Sequence, residues 1–171
     1  DSIIQDNTAR EGGGGLYALF PLLINLSSTL FRANTANEGS GGGAYVNTPT
    51  TVHIADSTFQ HNTASGLILS RGGGLALFGV LDSLALTNTS FESNLVEAGA
   101  ADITKVADFS QASGGGLYLA SISATATCTL SLLSFVSNTA AGHGGGATLV
   151  DVTAGESLLN LTSWTARNNS A

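Results

Sequence analysis

The chain has 171 residues, of which 43% are hydrophobic and 10% charged, with 22 Gly, 2 Pro and 1 Cys. That is enough apolar material for one domain with a core, and it excludes both a charge-rich disordered chain and a disulfide scaffold. A net charge of −7, from 5 Lys+Arg against 12 Asp+Glu, argues against a nucleic-acid binder and against docking on an anionic membrane. No apolar run reaches the roughly 18 residues of a membrane span. The longest, Leu16 to Ile24, is broken at Pro21. Nothing near Asp1 has the basic and apolar regions of a signal peptide, so any targeting segment is expected to be absent from these residues. Ser and Thr together account for 39 residues. Small, uncharged polar residues at this density point to a repetitive extracellular structure.

Along the chain one unit returns five times. It opens on Ile4-Gln5-Asp6-Asn7-Thr8-Ala9, then a glycine run from Gly12 to Gly15, then the apolar–x–apolar triplet Leu16-Tyr17-Ala18. An alternating stretch, Ile24-Asn25-Leu26, leads to Phe31 and, three residues on, Asn34. The second unit runs Gly41 to Gly43, Ala44-Tyr45-Val46, Val52-His53-Ile54, Phe59, Asn62. The third runs Gly72 to Gly74, Leu75-Ala76-Leu77, Leu84-Ala85-Leu86, Phe91, Asn94. The fourth runs Gly114 to Gly116, Leu117-Tyr118-Leu119, Cys128-Thr129-Leu130, Phe135, Asn138. The fifth runs Gly144 to Gly146, Ala147-Thr148-Leu149, Leu159-Asn160-Leu161, and closes on Ala166-Arg167-Asn168-Asn169. The recurring asparagines, at 7, 34, 62, 94, 138 and 169, are 27, 28, 32, 44 and 31 residues apart.

Seven and five residues before each Phe position the side chain is apolar, with a variable residue between. Alternation with period two is the mark of a half-buried strand. Three residues before the Phe stand Ser28, Asp56, Asn88, Leu132 and Ser163, where the change of phase predicts a bend or bulge. No stretch keeps a 3.6-residue period, so helix is not expected. Each unit therefore holds at least two strands, with a tight turn expected at Asn-Thr-Ala before the glycines. One such unit cannot bury its apolar face alone, whereas stacked units bury a continuous core. The expected fold is all-β: a right-handed parallel β-helix of about five coils near 30 residues each, the hand following parallel crossovers in general. It forms a single domain over 1–171, with a long inserted loop at 95–113. Phe31, Phe59, Phe91 and Phe135 are predicted to stack inside it. Asn7, Asn34, Asn62, Asn94, Asn138 and Asn169 are predicted to pair their amides from coil to coil, and Asn also suits a left-handed turn position.

The pairing of Gly42-Gly43-Ala44 and Gly145-Gly146-Ala147 with four Phe-x-x-Asn sites resembles the polymorphic outer-membrane-protein repeat, Gly-Gly-Ala-(Ile/Leu/Val) plus Phe-x-x-Asn. The resemblance covers the whole chain. The other glycine runs carry Leu where that pattern has Ala, and the edge units carry Ile4 or Ala166 in place of Phe. The resemblance implies a right-handed β-helical surface region, often an autotransporter passenger and often adhesive.

Candidate sites are few. Polysaccharide-active β-helices need paired carboxylates on adjacent coils, and the acidic residues here are scattered. Such a site would require Glu97, Asp102 or Asp108 close to Glu38 or Glu156. His53, His61 and His143 share no ladder and show no metal spacing. The glycine runs are followed by no Lys-Ser/Thr and no helix, so they are not phosphate loops. Neither cofactor nor metal is expected, and the chain is not read as an enzyme. Cys128 falls at an inward position and reads as a buried structural thiol. Tyr17, Tyr45 and Tyr118 share one ladder position with Ala76 and Thr148, expected to face outward as a flat aromatic stripe for sugar rings or a protein partner. Asn25, Asn88 and Asn160 are candidate N-glycosylation sites. Asn25 and Asn160 share an outward position, Asn88 lies at the bend, and a further sequon at Asn168 adjoins the buried ladder. The insertion carries Glu97, Asp102, Lys105 and Asp108 and is a candidate partner-specific feature. No polar cap is evident at either end. The reading is an extracellular or cell-surface structural or adhesive rod. Its candidate partners are further coils of the same chain or a second copy stacked end to end, and glycans or cell-surface proteins. The alternative is a carbohydrate-active or carbohydrate-binding β-helix.

Overall fold

The computed structural model describes residues 1–66, 70–98, 112–152 and 159–171. Among these residues there are strands and no helix, and every strand pair is parallel, joining a residue to its counterpart one unit on. Four sheets enclose a main core, and a small second cluster, Ala64, Val96, Ala112 and Ala140, lies along the threonine strands.

The phenylalanine sheet stacks β1 (Ser2–Gln5), β5 (Thr29–Arg32), β9 (Thr58–Gln60), β14 (Ser90–Glu92), β19 (Ser134–Val136) and β23 (Thr165–Arg167). The threonine sheet stacks β2 (Thr8–Ala9), β6 (Thr35–Ala36), β10 (Thr63–Gly66), β15 (Leu95–Ala98) and β20 (Thr139–Ala140). After the glycines comes the tyrosine sheet: β3 (Leu16–Leu19), β7 (Ala44–Asn47), β12 (Leu75–Phe78), β17 (Leu117–Ile122) and β21 (Ala147–Val152). The leucine sheet closes the coil with β4 (Leu23–Ser27), β8 (Thr51–Ala55), β13 (Ser83–Thr87), β18 (Thr127–Ser131) and β22 (Leu159–Thr162). A short fifth pair, β11 (Ser70–Arg71) with β16 (Ala112–Ser113), lies before the third and fourth glycine runs. The stretch 95–113 assigned to an inserted loop thus begins and ends in strand; 99–111 lie outside the described residues.

The alternation read from sequence holds. In the leucine sheet Ile24, Val52, Leu84, Cys128 and Leu159 are register partners, and Asn25, His53, Ala85, Thr129 and Asn160 form the next row. Val52, Leu84 and Cys128 are buried while His53 is exposed. Phe31, Phe59, Phe91 and Phe135 stack as parallel rings with centroids 4.7, 5.2 and 5.1 Å apart. Ala166 ends that register, and Trp164 supplies the missing ring, 5.4 Å from Phe135, with Nε1–H donating to the Leu130 carbonyl.

Each coil turns four corners, and each corner is one residue in the left-handed region. The bend before Phe is Ser28, Asp56, Asn88, Leu132 and Ser163, with φ between 44° and 55°. The corner after Phe is Asp6, Ala33, His61, Ser93, Ser137 and Asn168. A third corner is Phe20, Thr48 and Gly79, just after the tyrosine-sheet strands, and Ser121 and Asp151, inside β17 and β21. Only the fourth is glycine throughout: Gly13, Gly41, Gly72, Gly114 and Gly144. The turn expected at Asn-Thr-Ala therefore lies one residue earlier. The left-handed residue precedes the Asn, and Thr-Ala is already strand.

Candidate functional site

The asparagine row is the polar spine of the molecule. Asn62 donates its N–H and its Nδ2–H to Asn94 Oδ1, each at 3.0 Å, and a second Nδ2–H to the Phe31 carbonyl, also 3.0 Å. Asn34, Asn94 and Asn138 repeat the pattern toward Asn62, Asn138 and Asn169. Each inner amide therefore donates two side-chain bonds and accepts two, which fills its bonding capacity in a buried site. The amide-to-amide bonds are directional: the N–H and one Nδ2–H donate to the next coil and Oδ1 accepts from the previous one, while the second Nδ2–H donates back to a carbonyl of the previous coil. Asn7 starts it by donating to Asn34 Oδ1, and Asn169 ends it by donating to the Phe135 carbonyl. Hence Asn7 presents an open Oδ1 acceptor at one end of the described coils, and Asn169 presents an N–H and an amide proton at the other.

The tyrosine row keeps the expected register, Tyr17–Tyr45–Ala76–Tyr118–Thr148, but not a uniform exposure. Tyr17 is 51% exposed, whereas Tyr118 is 4% exposed and Ala76 fully buried. Two residues explain this. Phe78, one alternation beyond Ala76, swings into the gap that Ala76 leaves. Its ring is 5.5 Å from Tyr45 and 5.2 Å from Tyr118. The Arg71 guanidinium then lies over both, 5.9 Å from the Phe78 centroid and 4.9 Å from that of Tyr118. Tyr17 and Tyr45 are stacked at 5.2 Å and 11°, so their faces are turned to each other. The stripe is thus a stack four rings long, Tyr17, Tyr45, Phe78, Tyr118, open at the Tyr17 end and roofed at the other by Arg71. Burial chiefly, with Tyr17 beside it, raises the Tyr45 hydroxyl above its ordinary value, against the pull of Arg71 and Asn47. It stays a neutral hydroxyl at physiological pH.

A groove of about 270 Å³ runs beside this stack. Tyr17, Tyr45 and Phe78 form one wall; Glu11, Ser40 and Arg71, with Gly12 and Gly39, form the other. Gly12 and Gly39 leave part of its lining without side chains. A side chain at Gly12 would sit 3.6 Å from the Tyr17 ring. Neither Phe78 nor Arg71 was singled out from the sequence, since neither belongs to the repeating ladders.

A second groove of similar volume lies at the bend before Phe, lined by Asp56, Ser57, Thr58, Asn88 and Ser134 among others. There the Asn88 amide donates to Asp56 Oδ1 at 2.6 Å, so the sequon at Asn88 has its nitrogen engaged. Asn25 and Asn160 are exposed on the leucine sheet, as is Asn168 at its corner.

The remaining candidates are dispersed. Among the described residues no three His, Cys, Asp or Glu side chains converge as a metal site. Glu38 pairs with Arg10 at 3.0 Å on the surface. Glu97 is exposed in β15, beside Ser65. Asp102, Lys105, Asp108 and Glu156 lie outside the described residues. Cys128 is buried as expected, and burial pushes its thiol up to about 11, which keeps it protonated and unreactive. No protein-family model, curated protein or solved structure matches the chain.

Proposed function

We propose that the chain is a structural or adhesive segment of an extracellular or cell-surface rod, and that it extends by adding coils to its ends. The observation that carries this is the asparagine row, whose two ends are complementary. The open Oδ1 of Asn7 is the acceptor that the N–H and Nδ2–H of Asn169 lack. A further coil, from the same polypeptide or a second copy, continues the row at the same ~4.8 Å spacing. This is a head-to-tail contact, and such contacts build filaments when they do not close. The first coil also exposes Leu19, Phe20, Leu22 and Leu23, where the second carries Asn47, Thr48, Thr50 and Thr51. An apolar patch of this kind is a contact surface. The Ser/Thr/Gly composition, the exposed sequons at Asn25 and Asn160, and the resemblance to polymorphic outer-membrane-protein repeats support the extracellular setting.

Sedimentation velocity and electron microscopy of the purified chain test the stacking. Rods that lengthen with concentration are expected, and Asn7→Ala, which removes the terminal acceptor together with the Nδ2–H bond to Asn34 Oδ1, should shorten them. A compact monomer at every concentration, unchanged by Asn7→Ala, overturns stacking between copies. Intact mass of the material from its native source tests the setting. Glycan mass at Asn25 or Asn160 supports a eukaryotic secretory route, whereas material confined to the cytosol overturns the extracellular reading.

A further inference from the structure

We propose that the groove beside the tyrosine stack binds a neutral saccharide, one or two pyranose units of a surface glycan. The proposal rests on the adhesive reading for its setting but on its own geometry for its chemistry. Three features select the ligand class. The first is size: about 270 Å³ falls just short of the ~300 Å³ at which drug-sized pockets begin, so it admits a sugar ring or two and not a folded partner. The second is the aromatic wall. Tyr17 is 51% exposed at the open end of the stack, and the Tyr45 and Phe78 rings continue it inward. Because Tyr17 and Tyr45 are stacked face to face, the ring face left for the C–H face of a pyranose is the outer one of Tyr17, with the inner rings adding apolar edge. The third is the opposite wall, which carries one charge of each sign: the Glu11 carboxylate near the open end and the Arg71 guanidinium at the closed end.

Among the described residues neither charge has an ion-pair or hydrogen-bonded partner on its side chain. Arg71 is held only by the ring faces of Phe78 and Tyr118, which fix the guanidinium without using its N–H donors. A cationic ligand meets Arg71 and an anionic one meets Glu11. A neutral ligand rich in hydroxyls accepts from the guanidinium and donates to the carboxylate, and it brings no like charge against either. Saccharides combine those hydroxyls with an apolar face. The groove follows the coil axis, so a linear glycan can enter at Tyr17 and end at Arg71.

Saturation-transfer NMR and calorimetry on the whole chain would use neutral tetrasaccharides of glucose, mannose and N-acetylglucosamine, with tetragalacturonate and a glucosamine tetramer as charged counterparts. At least one neutral tetrasaccharide is expected to bind, with contacts to the Tyr17 and Tyr45 ring protons. Tyr17→Ala and Arg71→Gln should each weaken that binding about tenfold. Glu11→Gln, a surface change, should weaken it less and leave the melting temperature unchanged. Failure of every neutral tetrasaccharide to bind overturns the proposal, as does binding indifferent to Tyr17→Ala and Arg71→Gln. Preference for the galacturonate or the glucosamine tetramer overturns it too, since it assigns the groove to one charge. None of these results touches end-to-end stacking. Conversely, a monomeric chain that still binds a neutral sugar retains the groove and loses the filament.

Discussion

Asn94 shows how much one side chain holds. Its Oδ1 accepts two bonds from Asn62, and its Nδ2 donates to Asn138 Oδ1 and to the Phe59 carbonyl. Buried bonds of this kind are worth roughly 1 kcal/mol each. Asn94→Ala is therefore expected to lower stability by about 4 kcal/mol in denaturant titration. Asn94→Asp separates geometry from chemistry. The carboxylate keeps the shape but cannot donate, so it faces Asn138 Oδ1 and the Phe59 carbonyl as a like dipole. The introduced carboxyl then has a folded-state pKa above its unfolded value of about 3.9. The variant should be most stable below that pH and lose stability as pH rises through the raised folded pKa. A chemical-denaturation series across pH reads the slope, and a flat profile contradicts the directional row. Leu132 is the opposite case, a residue poorly suited to its place. It is an exposed Leu in the left-handed region (φ 54°), where the other coils carry Ser28, Asp56, Asn88 and Ser163. Relieving a left-handed non-glycine residue is worth about 1 kcal/mol, so Leu132→Asn should raise the melting midpoint.

At the scale of the element, the glycine run is three residues with separate tasks. Gly72 turns the corner at φ +63°. Gly73 lets three strands meet: a Cβ there would stand 2.5 Å from the carbonyl oxygens of Gly115 and Leu95. Gly74 meets the next coil in the same way, with the Gly116 carbonyl oxygen 2.6 Å from a Cβ position, and it also leaves room for Phe91, whose ring a Cβ would reach at 3.0 Å. Gly73→Ala is expected to cost about 3 kcal/mol or more, because backbone on the next coil must move. Gly79→Asn should cost under about 1 kcal/mol despite φ +68°, since nothing stands within 3.2 Å of its Cβ position and Asn tolerates that conformation. Thermal melts of the two variants separate crowding from backbone conformation. This division also explains what could be read in the sequence. The glycine, Phe and Asn rows were legible because each position meets its own copy one coil on, which forces residue identity to recur. The bend before Phe, at Ser28 and Leu132, was legible from the change of phase. The corners at Ala33 and Thr48 were not, because these residues hold left-handed conformations through bonds to the neighbouring coil, such as Thr48 N–H to the Phe78 carbonyl at 2.7 Å. No residue type announces that. Phe78 and Trp164 escaped for a related reason: each completes a row from a different offset, where Ala76 and Ala166 leave it open. The site was half visible, its tyrosines by register but not the arginine that roofs them.

For the whole molecule, a stack of coils has no long-range core beyond its neighbours, so stability is close to a sum of coil terms and interface terms. The inner coils have two interfaces each, and the outermost described coils have one. The burial record follows that count. Phe59, Phe91, Leu75, Leu77 and Leu86 are fully buried, while Ile4, Leu16 and Ile24 of the first coil and Leu149 of the last are only partly so. The asparagine row grades the same way, from Asn62 and Asn94, buried and fully bonded, to the exposed Asn7. Local opening free energy should therefore fall from the middle outward. Native-state hydrogen exchange on the monomeric chain is expected to protect the amides of Asn62, Leu75 and Asn94 longest, and those of Asp6, Asn7 and Asn169 least. On the stacking proposal, a coil added beyond Asn7 should raise protection at Asn7 and Thr8 and leave Asn94 unchanged. Uniform protection from end to end would mean that the coils unfold as one unit, and that the terminal coils draw their stability from something other than an added neighbour.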